Sequence, residues 1–409
     1  MKRFLQISWA LLLVCSLLVA CSGQKEKANG KPQVAKVPAA VEGKKEKQTS
    51  SETSFEKGTP EWDMQQVKKA VDDNNQELFM SYQNKDNEMF YKEQKRWMDE
   101  AAFKKKQGYK LSLDFYNFKK ENETTGTVSF AVTMSHPNLG ETTNSVTYQI
   151  IKVNDKWLLN DMPFATMATE SKNLTIYYMK GQEEDAQQTL KDASDIVAFY
   201  SKKFNWKPQP ITIKIYPSAL DVSATVPWIS LGGWNEIGES LKITTDHSQN
   251  IFRYLAHELT HKMVGELAND NATIYIQEGI ATYFEGTVVR DSSGNVIYDP
   301  KQAAAKVEGF LKDSNAVKSI EELGTIDYTD PAGSMYRDGF LLSNYLITTK
   351  GLPTFFTMIH SLSNFEYIDD RAEHKMDTCQ VHTVEAIEKT YGSADKVSDD
   401  CRKYYLTVR

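Results

Sequence analysis

Between Ile251 and Met263 the sequence commits to a helix. Ile251, Leu255, Leu259 and Met263 recur every four residues, the spacing that stacks side chains on one face and packs them against a core. His257 and His261 stand one turn apart on another face, about 200° around from that stripe at 100° per residue. Two imidazoles so placed can grip one metal ion, and Glu258 beside them projects toward the same cleft, free to take a proton from a water that the metal activates. With seven histidines in 409 residues, this spacing arises by chance in about one chain per hundred. The flanking sequence must decide between a metal site and two solvated histidines on an exposed helix.

A catalytic zinc site needs a third protein ligand and an open fourth position. After a polar turn at Ala268-Asn269-Asp270-Asn271 the chain continues as Ile276-Gln277-Glu278-Gly279-Ile280-Ala281-Thr282-Tyr283-Phe284-Glu285. Here Glu278, Thr282 and Glu285 share one helical face. An antiparallel helix pair would bring Glu278 back over the histidines, with Glu285 in reach of a ligand imidazole as a hydrogen-bond acceptor. A third segment, Ser334-Met335-Tyr336-Arg337-Asp338-Gly339-Phe340, heads a helix running through Tyr345-Leu346 to a stop at Gly351.

Taken together these segments resemble the gluzincins of the peptidase MA clan, most closely the peptidase MA-like group related to aminopeptidase N. The match to the family's Glu-Gly-x-Ala-x-Tyr-x-Glu pattern lies at Glu278 to Glu285, with Gln277 where aminopeptidases usually carry asparagine. The resemblance spans roughly residues 173–409, including the closing Ala386-Ile387-Glu388-Lys389-Thr390-Tyr391-Gly392. It implies a thermolysin-like zincin domain with a small sheet and a helical C-terminal part. It further implies one zinc ion per chain on His257, His261 and Glu278, Glu258 as general base, and hydrolysis of a peptide or protein substrate. By the same match Tyr336 is the donor to the tetrahedral oxyanion, a role such chemistry requires; His360, His374 and His382 are rival donors. One departure limits the reading. No clear Gly-x-Met-Glu-Asn motif holds a free amino terminus, and Gly233-Trp234-Asn235-Glu236 is a poor match, so nothing finer than peptide-bond hydrolysis follows.

The rest of the chain gives organisation. Lys2 and Arg3 precede an apolar run from Ile7 to Ala20 that reads as a secretory signal and is too short to span a bilayer comfortably. It ends in Leu18-Val19-Ala20-Cys21-Ser22, which resembles the lipobox of bacterial lipoproteins and implies lipidation at Cys21, export, and a lipid anchor at the outer face of the cell membrane. Residues 21–60 hold almost no large apolar side chain and read as a disordered tether. Residues 61–169 read as an α+β unit. Trp62, Val67, Val71, Leu78 and Tyr82 fall at helical spacing, Glu88 to Phe103 follows as a helix, and alternating strands then run through Thr127–Val132, Ser145–Ile150 and Trp157–Leu159, with a turn at Asn154-Asp155. Helices followed by a meander look like nuclear transport factor 2-like or cystatin-like folds. Strands at Leu174–Tyr178, Ile211–Tyr216 and Leu241–Thr244, with a helix over Glu183–Phe204, lead into the histidine-bearing helix, and the class throughout is α+β.

A net charge of −7 leaves no basic footprint for nucleic acid. Apart from Cys15 in the signal and Cys21, the cysteines are Cys379 and Cys401; outside the membrane they can form a bridge worth about 3 kcal/mol, or remain two thiols. The competing class is a non-catalytic surface binding lipoprotein with a relic or structural zinc site. Metal capture for uptake would call for a more histidine-rich sequence.

Overall fold

The structure is a computed structural model that describes residues 55–229, 231–245, 251–313, 317–328, 330, 332–369 and 371–407. The signal, Cys21 and almost all of the tether lie outside the described residues. No helix among the described residues is long and apolar enough to cross a membrane. Residues 54–409 form one compact unit, mixed α+β, with two hydrophobic clusters.

The N-terminal half opens with α1 (Pro60–Asp72), α2 (Gln76–Met80) and α3 (Glu88–Lys106). The apolar stripe from Trp62 to Tyr82 reads as continuous, yet the helix breaks after Asp72. Asn74 takes a left-handed conformation, and the Asn75 side chain caps α2 by accepting from the Leu78 amide at 3.0 Å, a local bond that competes with helix continuation. Four antiparallel strands follow in sheet order: β1 (Lys110–Lys120), β2 (Thr125–His136), β3 (Gly140–Val153) and β4 (Lys156–Leu159). Asn154 and Asp155 both adopt positive φ, which is what a two-residue hairpin between β3 and β4 requires. Met64, Val67, Phe90 and Trp97 of the helices pack on Val128, Phe130 and Ile150 of the sheet.

The second half is built on a five-stranded mixed sheet. Its elements are β5 (Ala165–Ala168), β6 (Leu174–Tyr178), α4 (Glu183–Phe204), β7 (Ile211–Tyr216), α5 (Ala219–Thr225), β8 (Gly233–Trp234) and β9 (Leu241–Thr244), in sheet order β5-β6-β7-β9-β8. Strands β6, β7 and β9 are parallel, and β5 and β8 are antiparallel edges. Then come α6 (Ile251–Leu267), α7 (Ile274–Thr287), the hairpin β10 (Val288–Arg290) and β11 (Val296–Tyr298), and helices α8 (Ala303–Asp313), α9 (Ile320–Gly324), α10 (Ser334–Lys350), α11 (Leu352–Ser361), α12 (Lys375–Tyr391) and α13 (Ala394–Thr407).

Two features of the packing bear on the site. Where α7 meets α10, a Cβ on Gly279 would lie 2.3 Å from the Gly339 carbonyl oxygen, and one on Gly339 would lie 2.3 Å from the Tyr275 carbonyl oxygen. The two backbones touch because neither position carries a side chain. Between the halves, Lys214 on β7 is fully buried, its ammonium 2.5 Å from both Glu93 of α3 and Asp161. Burial alone would push this ammonium down, but the two carboxylates outweigh it and hold Lys214 charged. Ser240 donates to the other oxygen of Glu93, and Arg96 of α3 reaches Glu239 at 3.0 Å and Glu236 at 3.2 Å.

Cys379 and Cys401 do not form the bridge that cysteine counting allows. Both stand as buried thiols on separate helices. The Cys379 sulfur faces the Asp270 carbonyl at 3.8 Å, whereas Cys401 lies in the main apolar cluster, where burial raises its thiol to about 12.

Candidate metal centre and active site

Helix α6 is held from behind. Leu255, Ala256, Leu259 and Met263 have no exposure, and Tyr200 of α4 shares a 2.8 Å hydrogen bond with Thr260 and donates to the Ala256 carbonyl at 3.1 Å. That bracing turns His257 and His261 to the opposite, partly open face. The connection to α7 is tight: Asn269 and Asp270 take positive φ, and α12 clamps the turn. Lys375 donates to the Asp270 carbonyl at 2.8 Å, Thr383 accepts from the Thr273 amide at 3.1 Å, and the His382 ring contacts Asn271 at 2.9 Å. Helix α7 therefore packs on α6 with Glu278 over the histidines.

The three donor atoms converge. Nε2 of His257 and Nε2 of His261 are 3.1 Å apart, and Oε2 of Glu278 lies 3.4 Å from the first and 3.3 Å from the second. This buried carboxylate oxygen has no hydrogen-bond partner, although buried acceptors are normally satisfied. The far nitrogen of His257, Nδ1, faces Glu285 at 3.6 Å, which aims Nε2 inward. Glu285 is itself held by Lys306 at 3.2 Å and Arg253 at 3.3 Å.

The carboxylates of the pocket favour positive charge at the imidazoles. Burial would lower the His257 imidazole, but the Glu278 and Glu285 carboxylates outweigh it and raise it to about 10. Burial opposes ionisation of Glu285 as well, yet His257 and Lys306 bring it down to about 2; burial likewise opposes ionisation of Glu278, but His261 and His257 together hold it well below the usual carboxylate range. Glu258 behaves oppositely: desolvation pushes it up despite both histidines. A buried group of two imidazoles and two carboxylates, one with an orphaned oxygen aimed at the imidazoles, fits a divalent ion. His257, His261 and Glu278 can hold a metal.

Strand β8 passes directly over Glu258. A Cβ on Gly233 would lie 2.1 Å from Glu258 Oε1, so only a hydrogen fits there. Tyr336, in the first turn of α10, is 39% exposed as a residue, but its phenol is desolvated and, with the fields of Glu278 and Glu258, stays protonated far above the ordinary tyrosine value. Sequence reasoning missed Tyr328. Its hydroxyl donates to Glu278 Oε1 at 2.8 Å, leaving Oε2 to face the histidines. It lies between α9 and α10, where none of the described residues is in a helix or strand, so no periodic signal marks it. Of the rival donors, His360 and His374 are exposed, and His382 stacks on Phe365 at 3.7 Å while holding the α6–α7 turn.

No family model and no curated protein matches the chain. Among solved structures it is similar to aminopeptidase A of Legionella pneumophila, solved in complex with aspartic acid, at 12% identity and a TM-score of 0.34. The match covers 70% of this chain and 32% of that one, so the chain spans about a third of the length of that structure.

Proposed function

We propose that this site hydrolyses peptide bonds with zinc, one ion per chain, held by His257, His261 and Glu278. The observation that carries the reading is the triangle of donor atoms, with edges of 3.1, 3.3 and 3.4 Å. Tetrahedral ligands about 2.0–2.1 Å from zinc stand roughly 3.3 Å from one another. Bound zinc would supply Lewis-acid polarisation of a carbonyl and a lowered pKa for water. Glu258 accepts the proton of the attacking water and returns it to the departing amine. Tyr336 donates to the oxyanion, and Glu285 keeps the His257 ring oriented. A peptide fits because β8 is a sheet edge whose glycine lies against Glu258, and an extended chain added to that edge would lay its backbone by the base. Lipidation at Cys21 would put the reaction at the outer membrane face, a placement supported by sequence alone.

Mass-spectrometric mapping of peptide-library cleavage tests this reading. Activity should vanish on chelation and return with one equivalent of zinc per chain; cleavage that survives chelation, or a protein that takes up no zinc, would sink it. For Tyr336→Phe we expect kcat to fall by about 10²–10³-fold with KM little changed, since the phenol contributes only when charge develops on the oxygen. A loss expressed mainly in KM would instead make Tyr336 a substrate-binding group.

A further inference from the structure

We propose that Lys104 and Trp228 are positioning residues for the metal ligand Glu278, acting through Tyr328, so that the N-terminal half of the molecule sets the affinity of the site for its metal. The proposal rests on the metal-centre reading above.

Tyr328 fixes the rotation of the Glu278 carboxylate by donating to Oε1, yet no regular element holds Tyr328. What holds it is Trp228: the two rings meet edge to face, 5.6 Å between centroids and 87° between planes. Trp228 also packs on Trp234 of β8 at 5.7 Å, next to the Gly233 that touches Glu258. One indole thus abuts both walls of the site.

Trp228 is in turn positioned from the N-terminal half. The Lys104 ammonium of α3 sits 3.5 Å over its ring, and Lys104 is 4% exposed, where a cation over an indole face is strongly held. The same ammonium lies 3.6 Å from Glu100 and feels the charge of Asp327, the residue before Tyr328, so it acts on Trp228 directly and on the segment that carries Tyr328 through its neighbour. Backbone contacts repeat the link. Asn144 of β3 donates to the Trp228 carbonyl at 2.9 Å and to the Ile229 carbonyl at 3.2 Å, Thr142 donates to Ile229 at 2.9 Å, and the Trp97 indole donates to the Ala224 carbonyl at 2.8 Å. The path Lys104, Trp228, Tyr328, Glu278 is continuous, and its end is the orientation of a ligand oxygen, the kind of contact whose loss costs about 10–100-fold in metal affinity.

The test is zinc affinity of the full chain, measured by competition with a chromophoric chelator. Tyr328→Phe should bind zinc about 10–100-fold more weakly. Lys104→Met should lose about tenfold, Lys104→Arg should recover most of it, and Lys104→Met should add little in a Tyr328→Phe background. That non-additivity is the decisive readout, because a general loosening of the fold would multiply the two losses. Asn144→Ala, which frees the Trp228 carbonyl without removing a charge, gives a second arm with the same expectation should Lys104→Met fail to fold. Independent, multiplying losses, or wild-type affinity in Lys104→Met and Asn144→Ala, would overturn the proposal while leaving the metal centre standing. A wild-type chain that binds no zinc would overturn both.

Discussion

Glu258→Gln is expected to cut peptide hydrolysis by about 10²–10⁴-fold and to leave zinc uptake at one ion per chain. The amide has the shape of the carboxylate but cannot accept a proton. It also has nowhere else to go, because Gly233 leaves room only for a hydrogen against Oε1. His257, His261 and Glu278 keep their contacts in the variant, so metal binding and activity should separate. Steady-state kinetics beside metal analysis of the same preparation checks this. If zinc is lost together with activity, Glu258 serves the ligand set and not the proton transfer.

Lys214→Met should be the most destabilising substitution in the seam between the halves, by about 3–5 kcal/mol, because it strands two buried carboxylates without their counter-charge. Glu93 and Asp161 each lie 2.5 Å from the ammonium. The triple variant Lys214→Met, Glu93→Leu, Asp161→Leu should recover much of that loss, since an apolar replacement of a whole buried ion group is often neutral. Denaturant midpoints of the two proteins decide the matter. A single variant within about 1 kcal/mol of the parent would mean that water reaches the carboxylates and relieves them.

The contrast between these two sites shows what the sequence makes legible. His257, Glu258 and His261 can be read because they ride one helix with a clean apolar stripe, and Glu278 and Glu285 because the next helix repeats the logic one turn of chain later. Local periodicity reports the face a residue occupies. It cannot report what covers that face. In β7, Ile211, Ile213 and Ile215 alternate with Thr212, Lys214 and Tyr216, and period two alone would turn the second set to water. The structure buries Lys214 and Tyr216 because α3 and the segment after β4 lie over that side of the sheet. Tyr328 was invisible for a related reason: its place beside Glu278 depends on Trp228, a hundred residues away in sequence, and on a stretch without regular structure. The break after Asp72 leaves no mark in the periodicity, because the stripe from Trp62 to Tyr82 keeps its rhythm across Asn74 and Asn75.

The glycine contact between α7 and α10 sets the width of the cleft. Backbone meets backbone at Gly279 and Gly339, so a methyl group at either position would collide with a carbonyl oxygen 2.3 Å away and wedge the helix that carries Glu278 from the helix that carries Tyr336. The spacing of two groups on either side of the reacting bond is thereby written into two residues that have no side chain at all.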